Sequence, residues 1–136
     1  MGCEPCPYSL SALTMGDLKL DKFAATLLEI RDTTLRVGEK ILAGKSISDL
    51  TDPLVVELSG LSPRQASAVR RLIAIAVDCG LHDFLKLVDK SSEFEEGLMV
   101  LADGVDVAKL STELQTELFG NNGWIARFSK YPPSDL

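Results

Sequence analysis

The chain has 136 residues, a length that fits one domain comfortably and two only poorly. Its composition, 46% hydrophobic and 25% charged, is globular and excludes an intrinsically disordered chain. The net charge of −6 argues against broad nucleic-acid binding. We expect a cytoplasmic protein without a membrane span, because the three cysteines cannot all pair in one chain, and we find neither a secretory signal nor about 20 consecutive apolar residues.

Composition divides the chain into three segments. Residues 1–16 contain Pro5, Pro7 and Gly16 and show no sustained periodicity, so we predict a flexible leader. Residues 17–130 carry a succession of helical patterns and form one predicted helical domain. Residues 131–136 include a double proline that ends regular structure, and we predict a flexible tail there.

The first helical pattern predicts a long amphipathic helix over residues 18–43, which Gly44 ends. Its apolar positions cover about half of the helix circumference, which is wider than one helical neighbour requires. We therefore predict that part of this stripe meets a second chain. Arg31 interrupts the stripe, either as a salt-bridged or snorkelling side chain or as a buried contact at an interface. The residues predicted for self-association are Leu28, Arg31, Leu35 and Leu42.

The following patterns predict further helices and no strand. A short helix begins at Asp52-Pro53 and ends at Gly60, and a capping box of Ser62 and Gln65 begins a helix that runs to Gly80. Because every residue from Leu72 to Val77 is apolar, this helix is predicted to be the most buried one. Three more helices are predicted over 81–88, 92–104 and 106–120, before an exposed apolar tail of Trp124, Ile125 and Phe128. The predicted fold is all-α, a compact bundle of about five to six helices.

Residues suited to catalysis are scarce in this sequence. His82 is the only histidine, and motifs for phosphate binding, zinc proteases or nucleophilic serine are missing. Cys3-x-x-Cys6 lacks the second ligand pair that a zinc site requires. Acylation at Gly2 or Cys3 is not expected, because Cys6 stands where the acylation motif has serine or threonine. We therefore predict a protein that is not an enzyme and that binds no cofactor or metal.

One stretch resembles a known motif. In residues 55–69, Leu58, Gly60, Leu61, Ala66 and Val69 occupy the positions of a helix-hairpin-helix, although Ser62 replaces its second glycine. In that family, backbone N–H groups of the turn and of the second helix bind DNA phosphates. The resemblance implies that this chain contacts phosphate, or a partner, through Gly60, Ser62, Arg64, Arg70 and Arg71. The region is also similar to a sterile-alpha-motif domain, a family that mostly binds proteins or polymerises, and a plain corner between two helices is the third interpretation.

Uneven charge favours an interaction function. Residues 36–71 contain six basic and four acidic side chains, whereas residues 89–117 contain eight acidic side chains and two lysines. Ends of opposite charge favour self-association or a charged protein partner. We predict a protein-interaction module that forms homo-oligomers and acts as an adaptor or regulator. The alternative is a nucleic-acid-binding protein that uses the hairpin-like residues 53–77.

Overall fold

Two long antiparallel helices make up most of the molecule. The computed structural model describes residues 14–132, in which helix α1 spans Met15–Leu42, α2 spans Asp52–Leu58 and α3 spans Pro63–Glu93. The orientation of α1 against α3 follows from two ion pairs, Arg31 with Asp78 and Glu39 with Arg70. The predicted all-α class is confirmed as a mostly-α fold.

Helix α1 begins with a capping box. The Thr14 hydroxyl accepts a hydrogen bond from the Asp17 backbone N–H at 3.1 Å, and the Asp17 carboxylate accepts the Thr14 N–H at 3.0 Å. The side-chain and backbone hydrogen bonds from Thr14 lower the pKa of Asp17 below its ordinary value. Residues 14–16 thus belong to the helix start rather than to the predicted leader. Residues 1–13, which include Gly2, Cys3 and Cys6, lie outside the described residues.

The prediction of five to six helices is wrong, since residues 14–132 contain four α-helices. Helix α3 continues through Gly80, so two predicted helices form one element. A single glycine costs a helix only about 1 kcal/mol, and the buried Leu85 and Val88 anchor the turns that follow it. The start predicted at Ser92 lies inside the last turns of α3, where the Ser92 hydroxyl binds the Asp106 carboxylate at 3.1 Å.

A short β-hairpin replaces the end of the helix predicted over 92–104. Strand β1 (Leu101–Ala102) pairs antiparallel with β2 (Val105–Asp106). Asp103 and Gly104 form the two-residue turn, with φ of 49° and 78°, as a type I′ turn requires. An Asp-Gly pair is a hairpin signal, and it was the local cue for this element. Further along, two 3₁₀ turns (Val107–Lys109 and Leu114–Leu118) replace the helix predicted over 106–120, and α4 spans Trp124–Phe128.

The hydrophobic core lies where the beginning of α1 faces the end of α3. Residues 100–128 cover this half of the helix pair, and Trp124 and Ile125 are only 1% exposed, so the prediction that they form an exposed tail is wrong. The Phe23 and Trp124 rings meet edge to face, with centroids 6.0 Å apart. Helix α1 contacts α2, α3, α4 and β1, and these neighbours within the chain cover much of its wide apolar stripe, although Ile30 is 58% exposed. The buried apolar residues of this core are Leu20, Ala24, Leu27, Leu28, Leu85, Val88, Val107, Leu114, Leu118, Trp124 and Ile125.

Asp89 joins the second 3₁₀ turn to α3. Its carboxylate accepts a hydrogen bond from the Leu114 backbone N–H at 2.7 Å. Partial burial raises the pKa of Asp89, against the opposing effect of that hydrogen bond, and the charges of Glu113 and Asp106 raise it further. Because the folded protein then binds this proton more tightly than the unfolded chain, ionisation of Asp89 lowers the free energy of unfolding as the pH rises above about 4.

We expect Asp89→Asn to be at least as stable as the original protein at neutral pH. The amide oxygen still accepts the Leu114 N–H, while the cost of burying a charge disappears. Asp89→Ala removes the acceptor and should lower the free energy of unfolding by about 1–3 kcal/mol. Urea unfolding measures both variants, and the advantage of Asp89→Asn should shrink as the pH is lowered and the Asp89 carboxyl becomes protonated. An asparagine variant as unstable as the alanine variant would contradict this account.

Candidate functional site

An open groove lies between α1 and α3 in the half of the helix pair that the core does not occupy. Its volume is about 470 Å³, within the range of pockets that hold ligands or side chains of a partner. We call it the basic groove. Its apolar lining includes Leu35, Ile73, Ala74 and Ile75, and its charged lining consists of Glu39, Arg70 and Arg71.

Close approach of the two helices shapes the basic groove. Gly38 has no side chain, and a Cβ at this position would lie only 3.0 Å from Cδ1 of Ile73. One turn before Ile73 on α3, Nε of Arg70 donates to both carboxylate oxygens of Glu39, the residue that follows Gly38 on α1, at 2.8 and 3.0 Å. Both side chains are nearly half exposed, so this ion pair contributes at most about 1 kcal/mol and chiefly sets the position of Arg70. Arg71 is exposed beside it.

Tyr131 and Pro132 border the basic groove and are held there by Arg31. The Arg31 side chain is fully buried, and its Nε and Nη2 donate to the Asp78 carboxylate at 2.5 and 3.1 Å. The same guanidinium donates to the backbone oxygens of Tyr131 and Pro132, each at 3.3 Å. These two residues therefore belong to the fold rather than to the predicted flexible tail.

Ser129 completes this buried cluster of polar side chains. Its hydroxyl accepts from Nη1 of Arg31 at 2.7 Å and from the Tyr131 N–H at 3.1 Å, and it donates to Asp32 at 2.5 Å. The second oxygen of Asp32 accepts the Lys130 N–H at 2.9 Å. Buried charges are tolerated only when they are paired and hydrogen-bonded in this way. The cluster fixes residues 129–132 at the edge of the basic groove.

The residues predicted for self-association lie mostly inside the chain. Leu28 and Arg31 are fully buried, and Leu35 is 7% exposed on the side of α1 that borders the basic groove. Leu42 is half-buried at the end of α1. Replacement of Leu28 or Arg31 would thus disturb the fold before it disturbed a contact between copies. Of the four, only Leu35, which lines the basic groove, and Leu42 remain candidates for a contact between copies.

At the corner between α2 and α3, the polar groups that could bind a phosphate mostly form hydrogen bonds with each other. The Ser62 N–H donates to the Gln65 side chain at 2.8 Å, and the Gln65 N–H donates to the Ser62 hydroxyl at 3.2 Å. Pro63 has no N–H, so few donors remain here for a phosphate. Gly60 lies outside the left-handed region, and a Cβ there would meet nothing within 4 Å. Binding of phosphate or of a partner by Gly60, Ser62 and Arg64 stays a prediction, as do both family resemblances.

Of the predicted contact residues, the structure brings Arg70 and Arg71 to the basic groove. Arg64 lies in the first turn of α3, about 10 Å from them along the helix, and Gly60 and Ser62 precede the helix. The apolar side chains that accompany the two arginines were predicted to be buried. Instead, Leu72 is 65% exposed, and Ile73 and Ile75 are only partly covered. Periodicity identified these residues as apolar but could not show that no element covers them.

A second exposed surface lies at the far end of α3, where a helix was predicted to begin. We call residues 93–99 the acidic turn, because Glu93, Glu95 and Glu96 surround Phe94 there. Phe94 is 62% exposed and Met99 is 63% exposed. Glu95 adopts a left-handed φ of 52°, and the Glu96 N–H donates to the Ser91 carbonyl at 3.1 Å, which ends α3 in a Schellman-type turn.

Among the helices of residues 14–132, none combines the length and the apolar character that crossing a membrane requires. Comparison with protein-family models, with curated protein sequences and with solved structures finds no match to this chain. Any inference about function therefore depends on the surfaces of this chain alone.

Proposed function

We propose that this protein is a non-enzymatic, self-associating helical interaction module, in which the basic groove receives an apolar side chain of a partner. The observation that supports the proposal is the groove itself, an open apolar cleft between two helices with arginines beside it. Protein interfaces derive most of their binding energy from a few large side chains that fill such clefts. A module that binds without chemistry suits the role of an adaptor or regulator.

The side chains that line the groove favour binding over catalysis. Glu39 is the carboxylate of the lining, and both of its oxygens accept hydrogen bonds from Arg70. His82 lies about 14 Å along α3 from Ile73 of the groove lining, and its ring pairs with the carboxylate of its neighbour Asp83. The groove thus lacks the base and nucleophile that general acid–base or covalent catalysis would need within hydrogen-bonding reach.

Exposed apolar side chains near the basic groove also favour a contact surface. Leu50 is 91% exposed, Val56 is 72% exposed and Leu72 is 65% exposed. All three belong to the half of the molecule that contains α2 and the beginning of α3. A group of large exposed apolar side chains is typical of a surface that another protein covers, and a second such group, with Phe94 and Met99, lies at the other end of α3.

A matched pair of substitutions tests the proposal. Ile75→Lys places a charge in the lining of the groove, whereas Ala76→Lys places the same charge on the next, exposed residue, which is not part of the lining. We expect the sedimentation coefficient of the original protein to rise with concentration, that of Ala76→Lys to do the same, and that of Ile75→Lys to stay at the monomer value. Circular dichroism verifies that both variants keep their helix content. A protein that stays monomeric up to about 1 mM, the limit of weak association, would contradict self-association.

A further inference from the structure

The acidic turn is opposite in charge to the arginines of the basic groove, and it carries an aromatic side chain that an apolar groove can receive. It presents one exposed aromatic side chain, Phe94, with three glutamates around it. The groove offers an apolar lining, with Arg70 and Arg71 beside it. An aromatic anchor that fills a pocket and charged neighbours that meet opposite charges are the features of a specific protein contact.

These two surfaces cannot meet within one molecule. Both are attached to α3, which is continuous from Pro63 to Glu93. Arg71 and Phe94 are therefore about 35 Å apart along the helix axis. Residues 129–132 are fixed at the edge of the groove by Arg31, and they hold no glutamate or phenylalanine. Because α3 holds the two surfaces this far apart, they can contact each other only when they belong to different copies of the chain.

We infer that copies of this chain associate head to tail, with the acidic turn of one copy in the basic groove of the next. This inference rests on the proposed function, of which it names the partner. The contact is heterologous, because it joins two different surfaces. Copies can therefore form a linear assembly in which each inner copy uses both surfaces and one unused surface remains at each end of the assembly. Assembly then grows with concentration rather than stopping at a dimer.

Other exposed residues extend the same contact. At the end of the acidic turn, Met15 is 71% exposed and Leu101 is 57% exposed. At the end of the groove, Leu50 and Leu72 are exposed. A stable interface requires more area than one anchor provides, and these exposed apolar side chains lie at the same two ends of the molecule as the contact surfaces. The excess of acidic residues at one end and of basic residues at the other predicts association that weakens with salt.

Two variants that each block one surface test the inference. Arg71→Glu reverses a charge in the groove, and Phe94→Ala with Glu96→Lys removes the anchor and a charge of the acidic turn. These three side chains are exposed, so helix content should be unchanged. We expect each variant alone to associate at least about tenfold more weakly than the original protein. Arg36→Glu and Glu29→Lys change the same charges on exposed residues outside both surfaces and serve as matched controls.

Mixing the two blocked variants is the decisive measurement. The Arg71→Glu copy keeps an intact acidic turn, and the other variant keeps an intact groove. An equimolar mixture should therefore form a dimer of two 14.7 kDa chains and grow no further, as sedimentation equilibrium can measure. A mixture that stays monomeric, while the original protein self-associates, would overturn the head-to-tail contact but leave the proposed function standing. An original protein that is monomeric at every concentration would overturn both.

Discussion

Replacing Arg31 with alanine should lower the free energy of unfolding by about 3–5 kcal/mol, the largest effect we expect from any single substitution. Arg31 and Asp78 have fully buried side chains, so the substitution leaves a carboxylate without its cation inside the protein. It also removes the donor that Ser129 and the backbone oxygens of Tyr131 and Pro132 share. Because small domains are stable by only about 5–15 kcal/mol, this loss should be visible at once.

Urea unfolding followed by circular dichroism measures the effect. Arg36→Ala is the matched control, since Arg36 is an exposed arginine on the same helix, and it should change stability by at most about 0.5 kcal/mol. The double variant Arg31→Met with Asp78→Leu replaces the ion pair by apolar groups and should recover much of the loss. If Arg31→Ala lowered the free energy of unfolding no more than Arg36→Ala does, the buried cluster would not hold residues 129–132 in place.

Gly123→Ala should lower the free energy of unfolding by about 1–3 kcal/mol or more. The backbone of Gly123, with φ of −70° and ψ of 170°, suits any residue, so the effect is purely steric. An added Cβ would meet the carbonyl oxygens of Phe119 and Leu118, the latter at 2.7 Å, and backbone atoms cannot rotate aside. The turn before α4 would have to shift and displace Trp124. The fluorescence of this single tryptophan, which is 1% exposed, should move to longer wavelength.

Gly80→Ala is the control for this prediction, because the same chemical change should have the opposite sign. Gly80 lies within α3, and an added Cβ would meet no atom within 4 Å. Alanine restricts the unfolded chain and favours the helix, so we expect a gain of about 0.5–1 kcal/mol. If the two substitutions changed the free energy of unfolding by the same amount, the steric clash expected at Gly123 would be contradicted.

Local signals in the sequence predicted the elements that depend on neighbouring residues only. The capping box of Ser62 and Gln65 is confirmed, and α3 begins directly after it. Gly44 follows the end of α1 with a φ of 81°, as its conformational freedom predicted. In both cases the interacting atoms lie within a few residues of one another, so the sequence pattern contains all the partners.

Elements that depend on distant partners were not predictable in the same way. Gly80 does not end α3 because neighbouring turns pack against the rest of the molecule, which no local pattern shows. Trp124 is buried because Phe23, about a hundred residues earlier in the chain, supplies its partner ring. The basic groove was predicted only in part. Arg70 and Arg71 stood out by their charge, whereas the groove's apolar lining is open because residues 100–128 pack against the other half of the helix pair.

The buried cluster that contains Arg31, Asp32 and Ser129 also affects when the protein can fold during its synthesis. Lys130 and Ser129 follow their partners on α1 by 97 to 98 residues, so a nascent chain contains both charged residues of α1 long before their partners are synthesised. Until then, closing α1 against α3 would bury these charges with part of their hydrogen bonds missing, which disfavours the closed state. We therefore expect this protein to acquire its core in one step, after Ser129 and Lys130 have been synthesised, rather than helix by helix.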